Sequence, residues 1–391
     1  MPGDAARLGG KYFYTVNSST VVAFAAPDSL PRSVAIAAAH GDSPAFRLKF
    51  NRMLKRGGSV CLNVERYGGM EIKSWFDVPL GIAGRLIVRD GDTLKTLLCD
   101  SKKAVCLIPN AAVHLLTERE PDPAQDLFPL YSADLSAPDV LDSLCAECGI
   151  DPKGVFGSDL FVYNTMPGIV WGANSEFVSS PRLDDLQCVY AALDGFISSA
   201  PGDSMKVLCV FDNEEVGSST KQGADSAFFD TLMRSVLSSL GAGSSQTEKI
   251  VANSFAISAD NEHGVHPNRS GLSDSLDRPV LNGGPALKFN ANQKYTTDAL
   301  SCAVVRALAD RAGAPLQFYS NRPDLRGGST LGGIMTRHFP VFCADIGAPQ
   351  LAMHSAFETA GNKDTLSLSK LFSALFSASF ERSGDDLKVY F

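Results

Sequence analysis

No stretch of this chain is apolar for long enough to cross a bilayer. The longest apolar runs, such as SVAIAAA at 33–39, fall far short of the roughly 20 residues a membrane helix needs. The opening MPGDAARLGGKY has no apolar core, so a secretory signal is not expected. No block of Lys or Arg stands out, and 35 basic against 43 acidic residues leave a formal charge of −8. A nucleic-acid partner is therefore not expected. Nine cysteines are present, but their number is odd and their positions scattered, which argues against a disulfide framework. Cys145-Ala-Glu-Cys148 has redox or zinc-ribbon spacing, yet no second pair follows and the segment reads as a helix. Reduced, mostly buried thiols in a cytoplasmic protein are the expectation. Internal repeats, low-complexity tracts and long linkers are also missing.

What is there suffices for a large core. The chain has 391 residues, 45% hydrophobic and 20% charged, enough for one large domain or two. Residues 12–16, 20–25 and 33–39 read as strands. Between about 59 and 110 come short β-like runs: VCLNVE, MEIKSWF, GRLIVR, LKTLLC and AVCLI. Gly-Gly, Pro-Leu-Gly and Asp-Gly-Asp divide them, which suggests a small all-β unit. Residues 121–137 read as a loop, 138–147 as a short helix and 159–164 as a strand. Beyond about 165, strands and helices alternate: a helix opened by an Ser180-Pro181 cap and running to about 198, a strand at 205–212, a helix at 222–240, a strand at 249–257, a helix at 298–312, a strand at 339–345 and a helix at 366–380. The expected fold is α/β, a mixed sheet sandwiched between helices, split by an inserted β unit. Residues 1–50 and 166–391 would form the discontinuous main domain and 51–165 the insert.

Three strings carry chemistry: AAAHGDSPAFRLK at 37–49, DNEEVGS at 212–218 and SADNEHGVHPN at 258–268. Each ends an apolar run with imidazole or carboxylate groups, and strand ends are where open α/β sheets bind ligands. Such donors without thiolate suit zinc, manganese or cobalt. Asp42 lies two residues after His40, in reach to orient its ring, although for that pair taken alone a hydrogen-bonded structural histidine is the better reading. Asp184 and Asp185 stand near a helix start, where acidic residues ordinarily complement the dipole. Glu214 and Glu215, adjacent after an apolar strand, sit badly in a core unless a cation compensates. Asp260 ends SFAISAD, and His354 follows the last strand region.

Taken with GGKYFYTVNSSTVVAF, SWFDVPLGIAGR, LIPNAAVHL, SPRLDDL, ALKFNANQKYTTDA, GGSTLGGI and DIGAPQLAMHS, these strings make the chain resemble the M18 family of metalloaminopeptidases, the aspartyl aminopeptidase group, from about residue 10 onward. The resemblance implies two divalent ions, zinc before cobalt or manganese. One would be held by His40 and Asp260, the other by Glu215 and His354, with Asp184 bridging. It implies Glu214 as general base to a metal-bridged water, Asp42 as orienter of His40, and removal of N-terminal residues from peptides with a free N-terminus. Lys288, with His263 and Tyr295, would face the substrate, and a lysine there would favour N-terminal Asp or Glu. The inserted β unit would be a dimerisation domain, six dimers would build a dodecamer, and His114 would reach into the neighbouring subunit's site. Departures from the family pattern are His-Gly-Asp for His-Thr-Asp, Asp185 for Asn, Phe357 for Arg, and the several dozen helical residues that members carry ahead of GGKYF. An M42- or M20-like cocatalytic peptidase or deacylase shares the metal logic. A non-enzymatic assembly scaffold is the remaining alternative.

Overall fold

The computed structural model describes residues 6–115, 120–325 and 327–391. Its centre is an eight-stranded mixed sheet in the order Lys11–Val16, Thr20–Ala25, Ser204–Phe211, Ser33–His40, Phe255–Ala259, Phe342–Gly347, Ala286–Phe289 and Gln317–Ser320. The four middle strands run parallel, and the two N-terminal strands form an antiparallel edge hairpin. Ser33–His40 is buried at every position, which explains its unbroken apolar sequence: both faces are covered by helices. Leu183–Ser198, Ala299–Ala312 and Asn362–Ser377 pack a core around Ala37, Ile257, Val305 and Phe372 on one face. Phe228–Ser239, Ser244–Ala252 and Gly332–His338 pack another around Ile36, Val207, Phe229 and Met335 on the opposite face. The expected α/β/α sandwich is the observed one.

A second, six-stranded sheet comes from the segment between the first and second parallel strands. Its order is Thr93–Asp100, Leu80–Asp90, Val155–Asn164, Ala45–Arg56, Ser59–Tyr67 and Leu130–Ser132, antiparallel throughout. Phe46, Leu62, Trp75, Leu80, Ile82 and Val162 give it a separate core, closed by helix Val140–Cys148. Ala45–Arg56 runs through residue 51, with an irregularity between Leu48 and Met53. Phe50, Leu94, Leu98 and Phe156 remain exposed on this unit.

Several local readings are corrected. Residues 244–252 are helix, and the strand begins only at Phe255. Ile250 and Val251 are buried in both alternatives, so a short apolar run could not tell them apart. The helix expected from 222 starts at Phe228, because Ser218 O accepts from Asp225 N and holds the intervening residues in turns. Ser180 does not cap a helix. It ends strand Phe177–Ser180, paired with Glu358, and the helix follows a left-handed Arg182. Ile72–Trp75 is a 3-10 turn rather than a strand, with Glu71 capping Ser74 N. The C-terminal hairpin Ser379–Ser383 and Asp386–Tyr390 was not foreseen. All nine cysteines are free. Among the described residues no helix is long and apolar enough to cross a membrane.

Candidate metal centre

Because the middle strands are parallel, their C-terminal ends converge on one edge of the sheet. His40 is the last residue of its strand, Glu214 and Glu215 follow Ser204–Phe211, and Asp260 follows Phe255–Ala259. Asp184 arrives from the turn before helix Leu183–Ser198, where Asp184 and Asp185 both leave helical geometry. Asp184 is thereby aimed into the cluster instead of lying along the helix as a dipole partner. His354 comes from the loop after Pro349–Leu351.

These residues form two triads with one member in common. Nitrogen and oxygen atoms of His40, Asp184 and Asp260 lie within 4.8 Å of one another, and so do those of Asp184, Glu215 and His354. His40 Nε2 is 3.5 Å from Asp184 Oδ1 and 3.8 Å from Asp260 Oδ1. His354 Nε2 is 3.3 Å from Asp184 Oδ2 and 3.4 Å from Glu215 Oε2. These are long for hydrogen bonds but right for donors sharing a cation: two ligands each about 2.1 Å from a tetrahedral ion stand about 3.4 Å apart. Asp184 Oδ1 and Glu215 Oε1 are buried and have no hydrogen-bond partner. A buried carboxylate oxygen without a donor needs a compensating charge, so the donor set would fit two divalent ions with Asp184 common to both.

Both imidazoles are set for that task. His40 Nδ1 lies 3.0 Å from Asp42 O and His354 Nδ1 lies 2.7 Å from Gly69 O. A carbonyl only accepts, so each Nδ1 carries the proton and each Nε2 offers its lone pair to the cluster. The orientation of His40 thus falls to the Asp42 carbonyl, its carboxylate standing 3.5 Å from Nδ1. That carboxylate has a different task. Oδ1 accepts from Glu214 N, and Oδ2 from Glu215 N and the Tyr67 hydroxyl, which in turn accepts from Asn213 Nδ2. Asn213, left-handed at φ 64°, turns the chain so that both glutamates are delivered at the strand end. Gly68 is also left-handed, at φ 76°, and a Cβ there would stand 3.2 Å from the Cβ of Glu215.

Electrostatics follow from burial and like charge. Burial, then Asp260, pushes Glu214 up to about 7; burial, then Asp184, pushes Glu215 up to about 9. Burial pulls His354 down, but the neighbouring carboxylates of Asp184 and Glu215 prevail and hold it at about 9. Asp184 is raised by burial and lowered further by the two histidines, so it stays ionised. Asp185 is forced well above the carboxylate range, burial being the main cause. It accepts from His40 N at 3.2 Å.

Glu358 was missed at the sequence level. Its Oε2 accepts from Asp184 N at 3.0 Å and its Oε1 from His354 N at 2.8 Å, so one side chain joins two ligand-bearing segments. Tyr67 and Asn213 were missed as well. The inserted unit grips the His354 loop from outside: Glu71 N donates to His354 O, Ala356 N to Ser74 Oγ, and Asn164 Nδ2 to Ala356 O. A cavity of about 490 Å³ between the two sheets is lined by Asp42, Tyr67, Arg182, Asn213 and Glu358 but by none of the five candidate ligands. It backs the centre rather than holding it.

The remaining expected site residues are dispersed. Lys288 is 2% exposed, with Nζ bonded to Asn261 O at 2.9 Å and 3.4 Å from Glu262 Oε2, so it is not a free cation awaiting substrate. Tyr295 is buried beneath it, ring centroid 5.5 Å from Nζ, whereas His263 is exposed. His114 is exposed on a turn of the inserted unit.

A family model described as aminopeptidase I zinc metalloprotease (M18) matches residues 5–376. A probable M18 family aminopeptidase 2 of Clostridium acetobutylicum is 38% identical over 381 residues, covering 94% of this chain and 88% of that one. Its counterpart in Pseudomonas aeruginosa is 37% identical over 385 residues, covering 95% and 89%. Among solved structures, a chain of the Ape4 and Nbr1 complex superposes with a TM-score of 0.89 at 30% identity, covering 96% of this chain and 78% of that one. The Saccharomyces cerevisiae mApe1 dodecamer superposes with a TM-score of 0.84 at 26% identity, covering 96% and 87%.

Proposed function

Since the chain belongs to the M18 family of aminopeptidases, we propose that it is a dinuclear metalloaminopeptidase removing N-terminal residues from peptides. His40 and Asp260 hold one ion, Glu215 and His354 the other, and Asp184 both. The observation that carries this reading is the pair of triads sharing Asp184, with spacings that suit ions and not hydrogen bonds. The family description supports zinc, and the donor set also accepts cobalt or manganese. When bound, the ions supply an acidified water and a polarised scissile carbonyl.

The chain's own residues do the rest. Glu214, held by its backbone bond to Asp42, takes the water proton and delivers it to the leaving amine. General acid–base transfer of this kind needs a carboxylate fixed beside the water, and Glu214 is fixed by its backbone bond. The substrate's free α-amine would be held by one of the ions when bound, which restricts cleavage to chain ends. The six-stranded unit, with its exposed apolar residues, serves as the pairing surface of a homo-oligomer, six dimers making a dodecamer, the size of the mApe1 assembly, and presents His114 to the neighbouring site. Neither a deacylase of the M42 or M20 type nor an inactive scaffold finds a supporting observation.

The test is chelation and reloading. Protein dialysed against chelator should lose activity on aminoacyl chromogens and regain it with about two zinc ions per chain, while N-acetylated substrates stay uncut. Glu214→Gln should bind both ions yet lose about 10²–10⁴-fold in kcat. Full activity in metal-stripped protein, or a variant keeping more than about a tenth of kcat, would overturn the assignment.

A further inference from the structure

The ion pair Glu262–Lys288 lies directly behind the centre and is used by nothing described above. Both residues are 2% exposed. Glu262 follows Asp260 by two residues on the short strand Glu262–His263, which runs beside Pro349–Leu351. Its Oε1 accepts from His263 N at 2.6 Å and its Oε2 is 3.4 Å from Lys288 Nζ. Lys288 Nζ donates to the Asn261 carbonyl, one peptide beyond Asp260, and rests over the Tyr295 ring. The Tyr319 hydroxyl, which accepts from Asn321 Nδ2, also faces Glu262. Asp345 is close enough to act on Lys288, and its carboxylate takes hydrogen bonds from Thr296. The lysine is thus surrounded by Asp260, Glu262 and Asp345. Its charge therefore stands among three carboxylates.

A lysine can select an acidic side chain only if its charge is uncommitted. Here the charge is already more than offset by three carboxylates, its hydrogen bonds are partly taken, and Glu262, 3.4 Å away, would repel an incoming carboxylate. We propose that Glu262 sets the substrate class: by holding Lys288 it closes the site to acidic N-terminal residues, and the enzyme takes peptides whose N-terminal side chain is neutral. Glu262 is a positioning residue, acting through Lys288. The inference rests on the aminopeptidase reading above and adds the side-chain class to it.

The experiment compares Ala-, Leu-, Asp- and Glu-aminoacyl chromogens on zinc-loaded wild type, Glu262→Gln and the double variant Glu262→Gln with Lys288→Met. Wild type should prefer Leu or Ala over Asp by tenfold or more in kcat/KM. Glu262→Gln should move the Asp-to-Leu ratio toward Asp by about tenfold, and the double variant should return it. A purely structural role would lower both substrates together. Removing one partner of a buried pair can destabilise the fold, so melting curves accompany the assay and the double variant, which removes the stranded charge, keeps the comparison open. Binding of free aspartate and free leucine, measured by calorimetry, gives a second reading of the same ratio without turnover. A wild type that prefers Asp, or a ratio that moves less than threefold in Glu262→Gln, overturns the proposal. A metal-loaded wild type that cleaves nothing in the set defeats the aminopeptidase reading instead, and the calorimetric ratio then decides Glu262 alone.

Discussion

In the metal-free chain burial holds Glu215 up at about 9, and the neighbouring carboxylates hold His354 at about 9. A cation requires both as free donors, so its binding releases protons at pH 7. The sign for the metal-free fold is the opposite. Both groups are raised above their unfolded values, so the stability they contribute is present at low pH and is lost as pH climbs through about 9. Metal-loaded protein gains where metal-free protein loses. The melting-temperature gap between zinc-loaded and stripped protein should therefore widen from pH 6 to pH 9, and a gap that narrows over that range sinks the ligand assignment. At this scale much was legible. Each of the five candidate ligands ends an apolar run or falls in a string whose order matched a known family, and the fold brings all five together. What was illegible is which atom of a residue does the work. Nothing in His-x-Asp says that the Asp42 carbonyl, rather than its carboxylate, takes the imidazole proton. Nor does ALKFN reveal that Lys288 is already paired with Glu262.

Between elements, the informative residue is Glu358. It sits at the start of strand Glu358–Gly361 and reaches Asp184 N, 174 positions away in sequence, and His354 N, four positions away. No local pattern signals a clamp between such distant segments. The one available hint was a carboxylate placed among small and apolar residues, in HSAFETAG, where solvent was not expected. Glu358→Gln keeps one acceptor oxygen and turns its NH₂ toward a backbone N–H, so one of the two bonds is lost. Zinc affinity should fall about 10- to 100-fold with the fold intact. Competition against a calibrated chelator measures it, and unchanged affinity for both ions would rule the clamp out. The elements themselves were readable where period and length agreed. Ser33–His40 and Ala299–Ala312, the latter with Asp298 and Ser301 closing a capping box, came out close to expectation. Residues 249–252 and 180–182 did not. In the first a buried helix turn and a buried strand share the same apolar letters. In the second the chain bends to aim Asp184, and that demand outweighs capping preference.

For the whole molecule, the proposed pairing of inserted units bears on how many chains make an active site. Its core is separate from that of the central sheet, and His114 is exposed on it. If His114 serves the neighbouring subunit, mixing His114→Ala with Glu214→Gln subunits after dissociation should restore activity, because each mixed pair keeps one site with both groups intact. Verified mixed oligomers without recovered activity, or a fully active monomer by light scattering, would exclude that arrangement. The presence of an interrupting β unit was visible in the spacing of its turns. Its grip on the centre was not, because that grip runs through backbone atoms: Gly69 O on the His354 ring, Glu71 N on the His354 carbonyl, and Ser74 Oγ on Ala356 N. This grip bears on modularity. An insertion joined only at its ends could be excised or transplanted, leaving a minimal catalyst behind. Here excision would also remove the tautomer lock of one histidine and the Tyr67 contact beneath both glutamates, so the two units of this chain can diverge in surface but not in partnership.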